Sequence, residues 1–567
     1  MFTVKKNIKK AVTLFLCTTM LSTSIINTSL VSVSAAGYDY STALKNAIGF
    51  YDANKCGKEV TTNNIFSWRG ACHTEDGSDV GVDLTGGYHD AGDHVKFGLP
   101  QGYTASVLGW SLYEFDEVFQ ASGNKTKMLE QLKYFTDYFL KAHPDSNTFY
   151  YQVGDGEADH QYWGPPETQP GERPTKCVAN ASTPASDVLG ETTAALALMY
   201  LNYKDIDLTY ANECLKVAKE LYSMGTSNQG AGDGQYFYRS TSIYDDLAWG
   251  AVWLKVATGE DSYLNDAKEF ILKRNENGND PLQHRWTMCW DDMYIPGLVM
   301  LARLTGDATY KNGVEFNLDY WMNELETTPG GLKFLHYWGV IRYAAASSMI
   351  ASIYYKQNPN QKYLEMAKKQ IDYSLGDNPE NMSYVVGMGS KWSVHPHHRA
   401  AQGAVGYADG ANLAEAKYLL LGALIGGPDK NDVYVDSVSE FQYTEVALDY
   451  NAGYVGALAA VAKHFGNLSI PTGAITPAKT PTPVKTPTPV ITTTPEKPVQ
   501  VLGDVNGDGS FNAIDFGLVR KKLIGLPITG TFDEAAADVN GDSGLNAIDF
   551  AVMRQKLLGI ISKFPAE

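Results

Sequence analysis

Apolar residues recur at spacings of three and four along most of the chain. Leu132, Phe135 and Phe139 share one face, as do Leu264, Ala267 and Ile271, and Leu364, Ala367, Ile371 and Leu375. This is the period of amphipathic helices packed on a core. Cys214 falls on another such face with Val217 and Leu221, which predicts a buried packing role for its thiol. Gly225 and Gly376 stand where helices would end. Strict apolar–polar alternation is rare, so a large sheet is not expected. Long Gly-, Asp- and aromatic-rich stretches separate the helical segments, and long loops in a compact domain usually carry function. The pattern fits helices stacked side by side with their loops gathered at one end.

The pattern stops after Ile470. "PTGAITPAKTPTPVKTPTPVITTTPEKPVQ" has little to bury and reads as an extended Pro/Thr spacer over 470–500. Residues 37–469 form one expected unit and 501–567 another. At the other end, Lys5, Lys6, Lys9 and Lys10 precede an apolar segment and the small residues Ser34, Ala35 and Ala36. Residues 1–36 read as an export signal, which predicts a secreted protein.

In the small unit a loop-plus-helix repeats at an offset of 34 residues. Asp504, Asn506, Asp508, Ser510, Asn512 and Asp515 fall at positions 1, 3, 5, 7, 9 and 12 of a calcium-binding loop. Asp538, Asn540, Asp542, Gly544, Asn546 and Asp549 match them in the second copy, where Ser543 replaces the glycine favoured at the sharp turn. Two such loops, each followed by one helix, resemble the type I dockerin. That resemblance implies folding on calcium and binding to a cohesin module of a scaffold protein. It also implies contact through Ala513–Ile514 and Ala547–Ile548 in two equivalent orientations.

The net charge of −18 argues against nucleic acid as a partner. Aromatics make up 12% of the chain, which fits either a thick core or sugar-stacking platforms. Five cysteines remain beyond the signal (Cys56, Cys72, Cys177, Cys214 and Cys289), an odd number and no disulfide framework.

Candidate chemistry begins at "GGYHDAGDHVKF". Asp90 and Asp93, with Gly92 between them, can converge on one water as the basic side of a glycoside hydrolase. An acidic turn or a metal loop is the alternative. In "YVDSVSEFQYTEVALDYNAG", Glu445 lies among Tyr443, Val446 and Tyr450, surroundings that would raise its pKa toward an acid's working range. Helix capping is its alternative.

"SYVVGMGSKWSVHPHHR" (383–399) and "YVDSVSEFQYTEVALDYNA" (434–452), together with "DAGD" at 90–93, resemble glycoside hydrolase family 9 over residues 37–468. The resemblance implies an all-α (α/α)6 barrel and inverting endo-cleavage of β-1,4-glucan. It implies Asp93 as general base with Asp90 helping to hold the water, Glu445 as acid and Asp436 in support. His397 and Arg399 are implied near the cleavage point. His160, Trp163, Tyr238, Trp286, Trp338, Arg342 and Tyr343 are implied along the substrate cleft, with core packing open for the aromatics. Two metals are also implied. One is a structural zinc on Cys56, Cys72, His73 and His94, against a Cys56–Cys72 disulfide as the alternative. The other is a calcium on Asp245, Asp246 and Asp291 near Ser242. A different β-glycan as substrate, or glucan binding without catalysis, remains open at this level.

Overall fold

In the computed structural model the described residues are 38–273, 280, 282–468 and 501–566, apart from 508, 524–527, 529–530, 543, 558–560 and 562. The expected signal and spacer lie outside them. The chain divides into two compact units at Pro481/Thr482. Among the described residues no helix is long and apolar enough to cross a membrane.

Among the described residues, twelve helices of ten residues or more build the first unit. They are α1 (Tyr40–Gly49), α2 (Gly98–Ala121), α3 (Lys125–Ala142), α4 (Ser186–Tyr203), α5 (Leu208–Ser227) and α6 (Tyr244–Thr258). Then follow α7 (Asp261–Lys273), α8 (Tyr294–Thr305), α9 (Ala308–Asp319), α10 (Val340–Tyr355), α11 (Gln361–Leu375) and α12 (Leu448–Phe465). Helices α2, α4, α6, α8, α10 and α12 pack each on the next, and α12 returns to α2, so they close a ring. Each is covered from outside by one of α3, α5, α7, α9, α11 and α1. This is an (α/α)6 barrel.

The sequence explains the two layers. The outer helices carry the 3/4 stripe, because only one face meets the core. The inner helices are buried nearly all round, and α12 is an almost unbroken run of small and apolar residues from Leu448 to Ala462. Small residues also set their spacing: a Cβ on Gly190 of α4 would come within 2.5 Å of the Asp246 backbone on α6. Trp110, Trp249 and Trp253 pack edge to face at the barrel centre, so part of the aromatic content is core.

One expectation changes. Gly376 ends α11 with φ +129°, as the pattern predicts. Gly225 instead lies inside α5, buried against Leu189 and Leu247. It serves close helix packing rather than termination, since a missing side chain suits either role.

The inner helices begin at one end of the barrel. Leu448 N–H at the start of α12 donates to Asp90 O (2.9 Å), just ahead of α2. Met293 N–H, ahead of α8, donates to Asp245 on α6 (2.9 Å). Arg342 on α10 pairs with Asp449 on α12 (2.7 Å). A small antiparallel sheet sits at this end: β1 (Lys96–Phe97), β2 (Phe149–Val153) and β3 (Thr175–Ala179), with Phe97 opposite Gln152.

The second unit has two long helices, Ala513–Leu523 and Ala547–Leu557, one after each loop. Its core is small: Val505, Val519, Val539, Met553 and Phe564, with Phe516 stacked on Phe550 at 4.2 Å.

Candidate active site and metal sites

The inner helices leave their first N–H groups and positive dipole ends at the loop end of the barrel, which suits a cluster of carboxylates. Three segments are stitched together there by backbone. Arg399 N–H donates to Gly92 O (3.1 Å), Leu448 N–H to Asp90 O (2.9 Å) and His397 N–H to Thr444 O (2.8 Å). His397 and Glu445 form a parallel bridge. Gly92 has no room for a side chain: a Cβ would lie 2.3 Å from His397 O. The 90–93 turn and the segment around Glu445 therefore belong to one site.

Asp90 and Asp93 are both buried. Tyr238 donates its hydroxyl to Asp90 Oδ2, while Asp90 Oδ1 has no hydrogen-bond partner. Burial, followed by the neighbouring Asp93, pushes the Asp90 carboxyl well up, and Glu445 is close enough to add to the effect. Asp93 accepts from Ala91 N–H (3.2 Å). Its carboxyl is raised by burial and then by Asp159, and held back by Arg399 and His160.

Glu445 ends the short helix Phe441–Thr444, so it does not cap a helix start. Its Oε2 accepts from the Trp338 indole (2.6 Å) and from the Tyr450 hydroxyl (3.0 Å). Burial raises its pKa, against those two hydrogen bonds and the cation of Arg342. The result is a carboxyl biased toward holding its proton, near an aspartate pair in which one buried oxygen, Asp90 Oδ1, has no hydrogen-bond partner.

The other expected residues take distinct places. Asp436 accepts from Ser393 Oγ (2.6 Å) and Val394 N–H (2.9 Å), and so fixes the segment leading to His397. His397 donates Nδ1–H to Val438 O (2.7 Å), and burial lowers its pKa to about 4, which keeps it neutral. Arg399 is buried and pairs with Asp159 (2.6 Å). Arg342 lies between the Tyr343 and Tyr450 rings, at 4.6 and 4.7 Å, and pairs with Asp449. It therefore steadies the tyrosine that donates to Glu445. Trp286 meets Tyr343 edge to face at 5.4 Å. His160 stacks on Phe237 at 5.0 Å. Trp163 is only 8% exposed, wedged edge-on between His397 and Tyr407.

Some residues at this site were given no site role from sequence. Trp290 packs on Tyr238 at 4.9 Å. Asp159 anchors Arg399, and Asp449 and Tyr450 organise the acid side. The last two stand in the quoted stretch after Glu445, and Asp159 immediately precedes His160, so proximity along the chain was the available signal.

The cluster that could hold a metal differs from the expected zinc set by one residue. Cys56, Cys72, His73 and His89 bring their donor atoms within 4.8 Å of one another. His94 instead has Nε2 at 2.8 Å from Gly164 O. His89 and His94 both flank the Asp90–Asp93 turn, and spacing alone could not choose between them. The cysteines are not bridged, so the disulfide alternative is not realised. Two thiols and two imidazoles fit tetrahedral zinc, and His73 Nε2 is buried without a hydrogen-bond partner.

At the start of α6, Asp245 and Asp246 are fully buried. Neither oxygen of Asp246 has a hydrogen-bond partner. Asp291 accepts from Thr241 N–H (2.7 Å), and burial together with Asp245 pushes its pKa to about 7. Ser242 O accepts from Ser240 Oγ (2.6 Å). A hard dication suits this crowding of carboxylates. In the small unit, Asp538, Asp542 and Asp549 converge within 4.8 Å. In the first loop, Asp504 receives Gly507 and Gly509 N–H, and Asp515 receives Val505 and Asn506 N–H. Asp508 and Ser543 lie outside the described residues.

Comparison with known proteins now decides the family. The description "Glycosyl hydrolase family 9" matches residues 40–458, and "Dockerin type I domain" matches 502–558. The chain belongs to glycosyl hydrolase family 9. It is similar to Endoglucanase A of Bacillus pumilus, 41% identical over 450 residues, covering 76% of this chain and 67% of that one. Among solved structures it resembles the cellulase Cel9M of C. cellulolyticum, with 63% identity, 76% of this chain and 100% of that chain covered, and a TM-score of 0.74. It also resembles an endoglucanase of the termite Nasutitermes takasagoensis, with 38% identity, coverage of 75% and 99%, and a TM-score of 0.71. The family 9 domain is thus joined to a type I dockerin, whose partner is a cohesin and whose ion is calcium.

Proposed function

We propose that this chain is a secreted endo-β-1,4-glucanase that hydrolyses cellulose with inversion and works in a cellulosome. The supporting observation is the joining of two unlike carboxyl environments at one barrel end, through the Leu448–Asp90 and His397–Thr444 hydrogen bonds. Asp93 acts as general base on a water that Asp90 helps to hold. Glu445 donates its proton to the departing glycosidic oxygen. In an inverting enzyme the carboxyls stand ~6.5–9.5 Å apart, leaving room for the water. His397, Arg399, His160, Trp163, Trp286, Trp338, Arg342 and Tyr343 serve the glucan cleft. Trp338, which touches Glu445, is the platform nearest the cleavage point. Trp163 and Arg342 act chiefly by supporting their neighbours.

Zinc on Cys56, Cys72, His73 and His89 would brace the turn that follows His89. Calcium on Asp245, Asp246 and Asp291 would relieve their mutual repulsion. Calcium on the two dockerin loops would fold the cohesin-binding surface around Ala513–Ile514 and Ala547–Ile548. The chain as a whole is read as signal 1–36, catalytic domain 37–469, spacer 470–500 and dockerin 501–567.

Proton NMR of freshly released cellooligosaccharides tests the mechanism. The α-anomer should come first; a β-anomer first would refute inversion. Asp93→Asn should slow turnover by roughly 100-fold or more, and unchanged turnover would refute the base.

A further inference from the structure

Residues 234–236 form a turn that ordinary backbone avoids. Gly234, Gln235 and Tyr236 all have positive φ, at +52°, +48° and +68°. Two of the three carry a Cβ, which the left-handed region disfavours. Such conformations persist only where surroundings over-determine them.

Backbone bonds brace the turn locally, Tyr236 N–H to Asp233 O (3.1 Å) and Phe237 N–H to Gly234 O (3.0 Å), and one side chain of the turn ties it to the neighbouring segment. Gln235 Oε1 accepts from Gln152 Nε2 (2.6 Å) and from Gly156 N–H (2.9 Å). Its Nε2 donates to Asp155 Oδ2 (3.2 Å). Gln152 is fully buried on β2, opposite Phe97. The Tyr236 ring supplies no anchor, being 76% exposed. Directly past the turn the chain delivers Phe237 onto His160 and Tyr238 onto Asp90. Tyr238 rests between Phe97 (5.0 Å) and Trp290 (4.9 Å).

We propose that Gln235 is a positioning residue for hydrolysis: its amide clamps the left-handed turn to residues 152–156 and thereby seats the Tyr238 hydroxyl on Asp90. The inference rests on the reading of Asp90 and Asp93 as the water side of the site. With Tyr238 on Oδ2, the other Asp90 oxygen stays turned toward the water. Without the clamp the turn relaxes toward ordinary φ values, and the hydroxyl withdraws.

A double-mutant cycle on the full chain tests this. Gln235→Ala, Tyr238→Phe and the double variant are compared on carboxymethyl cellulose, with kcat and KM separated and melting followed by calorimetry. Gln235→Met, close in volume but unable to hydrogen-bond, is the second variant should the alanine protein fold poorly. Loss of Tyr238 alone should lower kcat on the order of 10-fold or more, within the range of a lost hydrogen bond to a charged group. Gln235→Met should lower kcat by a similar factor and leave KM within about twofold, because the clamp acts on the water side and not on glucan binding. Adding it to Tyr238→Phe should cost less than about twofold more. Multiplicative losses, or a rise in KM with kcat unchanged, would overturn the proposal. Asp93→Asn separates the two levels: if it stays fully active, the reading of the site fails and this inference with it. If it is inactive while the cycle is multiplicative, only the role of Gln235 fails.

Discussion

At the scale of single residues, the proposed reaction asks opposite protonation states of two carboxyls in one site. Asp93 must be ionised to accept a proton, and Glu445 must be protonated to give one. Both pKa values are raised, chiefly by burial. Activity should therefore fall on the acid side as Asp93 takes up a proton, and on the alkaline side as Glu445 loses one. The indole of Trp338 stabilises the ionised form of Glu445 by donating to it. Trp338→Phe should accordingly move the alkaline limb of kcat/KM to higher pH, whatever it does to glucan affinity. A limb that stays still or moves down would mean that another group sets it. Asp90, Asp93 and Glu445 were readable as candidates because their motifs are short and local, whereas Asp159 and Asp449 act through partners distant in sequence, Arg399 and Arg342. His89 was not readable, since a metal shell is a property of the fold and two histidines flanked the same turn. Trp163 was readable as an aromatic near the cleft, but not as one buried under Tyr407.

At the scale of elements, periodicity located the outer helices best, because a one-sided stripe is the mark of a helix with one dry face. The inner ring was harder. Helices such as α12, apolar nearly all round, lose the 3.6-residue signal, and only their closure into a ring explains their composition. The opposite end of that ring carries a clamp absent from the sequence reading. Glu114 near the end of α2 is buried and bonded to Arg303 of α8 and to Lys356 just after α10 (2.8 Å). Burial alone would raise its pKa, but the two cations win and hold it at about 2. A lowered pKa stabilises the fold above the unfolded value, and the gain disappears as pH falls through about 2. The two cations are partly exposed, so Glu114→Gln should cost about 1–3 kcal/mol rather than the full value of a broken buried pair. Urea unfolding at neutral pH would measure it, and an unchanged midpoint would remove the clamp from the account. In the small unit, Ile514 and Ile548 stand at equivalent places and are 61% and 59% exposed. Either Ile→Asp change alone should leave cohesin binding within about tenfold, and both together should abolish it; calorimetric titration distinguishes the cases.

At the scale of the whole chain, the two units differ in what holds them together. The barrel buries a large core, whereas the small unit buries few side chains and brings carboxylates into contact that repel without an ion. Folding of the small unit should therefore depend on its loops, and the Pro/Thr spacer gives no reason for that dependence to cross to the barrel. A chelator would blur the test, because the barrel carries its own candidate metal sites. Replacing Asp515 and Asp549 with Ala in one chain confines the change to the dockerin loops. Both carboxylates are buried and each accepts backbone N–H bonds from its own loop. Calorimetry should then lose the dockerin's transition, and cohesin capture should vanish. The barrel should melt where it did before, and hydrolysis of carboxymethyl cellulose should stay within about twofold, because distant changes that share no partners with the barrel act independently. A barrel transition that drops with the loops would mean that the two units stabilise each other, and the spacer would then have to be read as a joint and not as a tether.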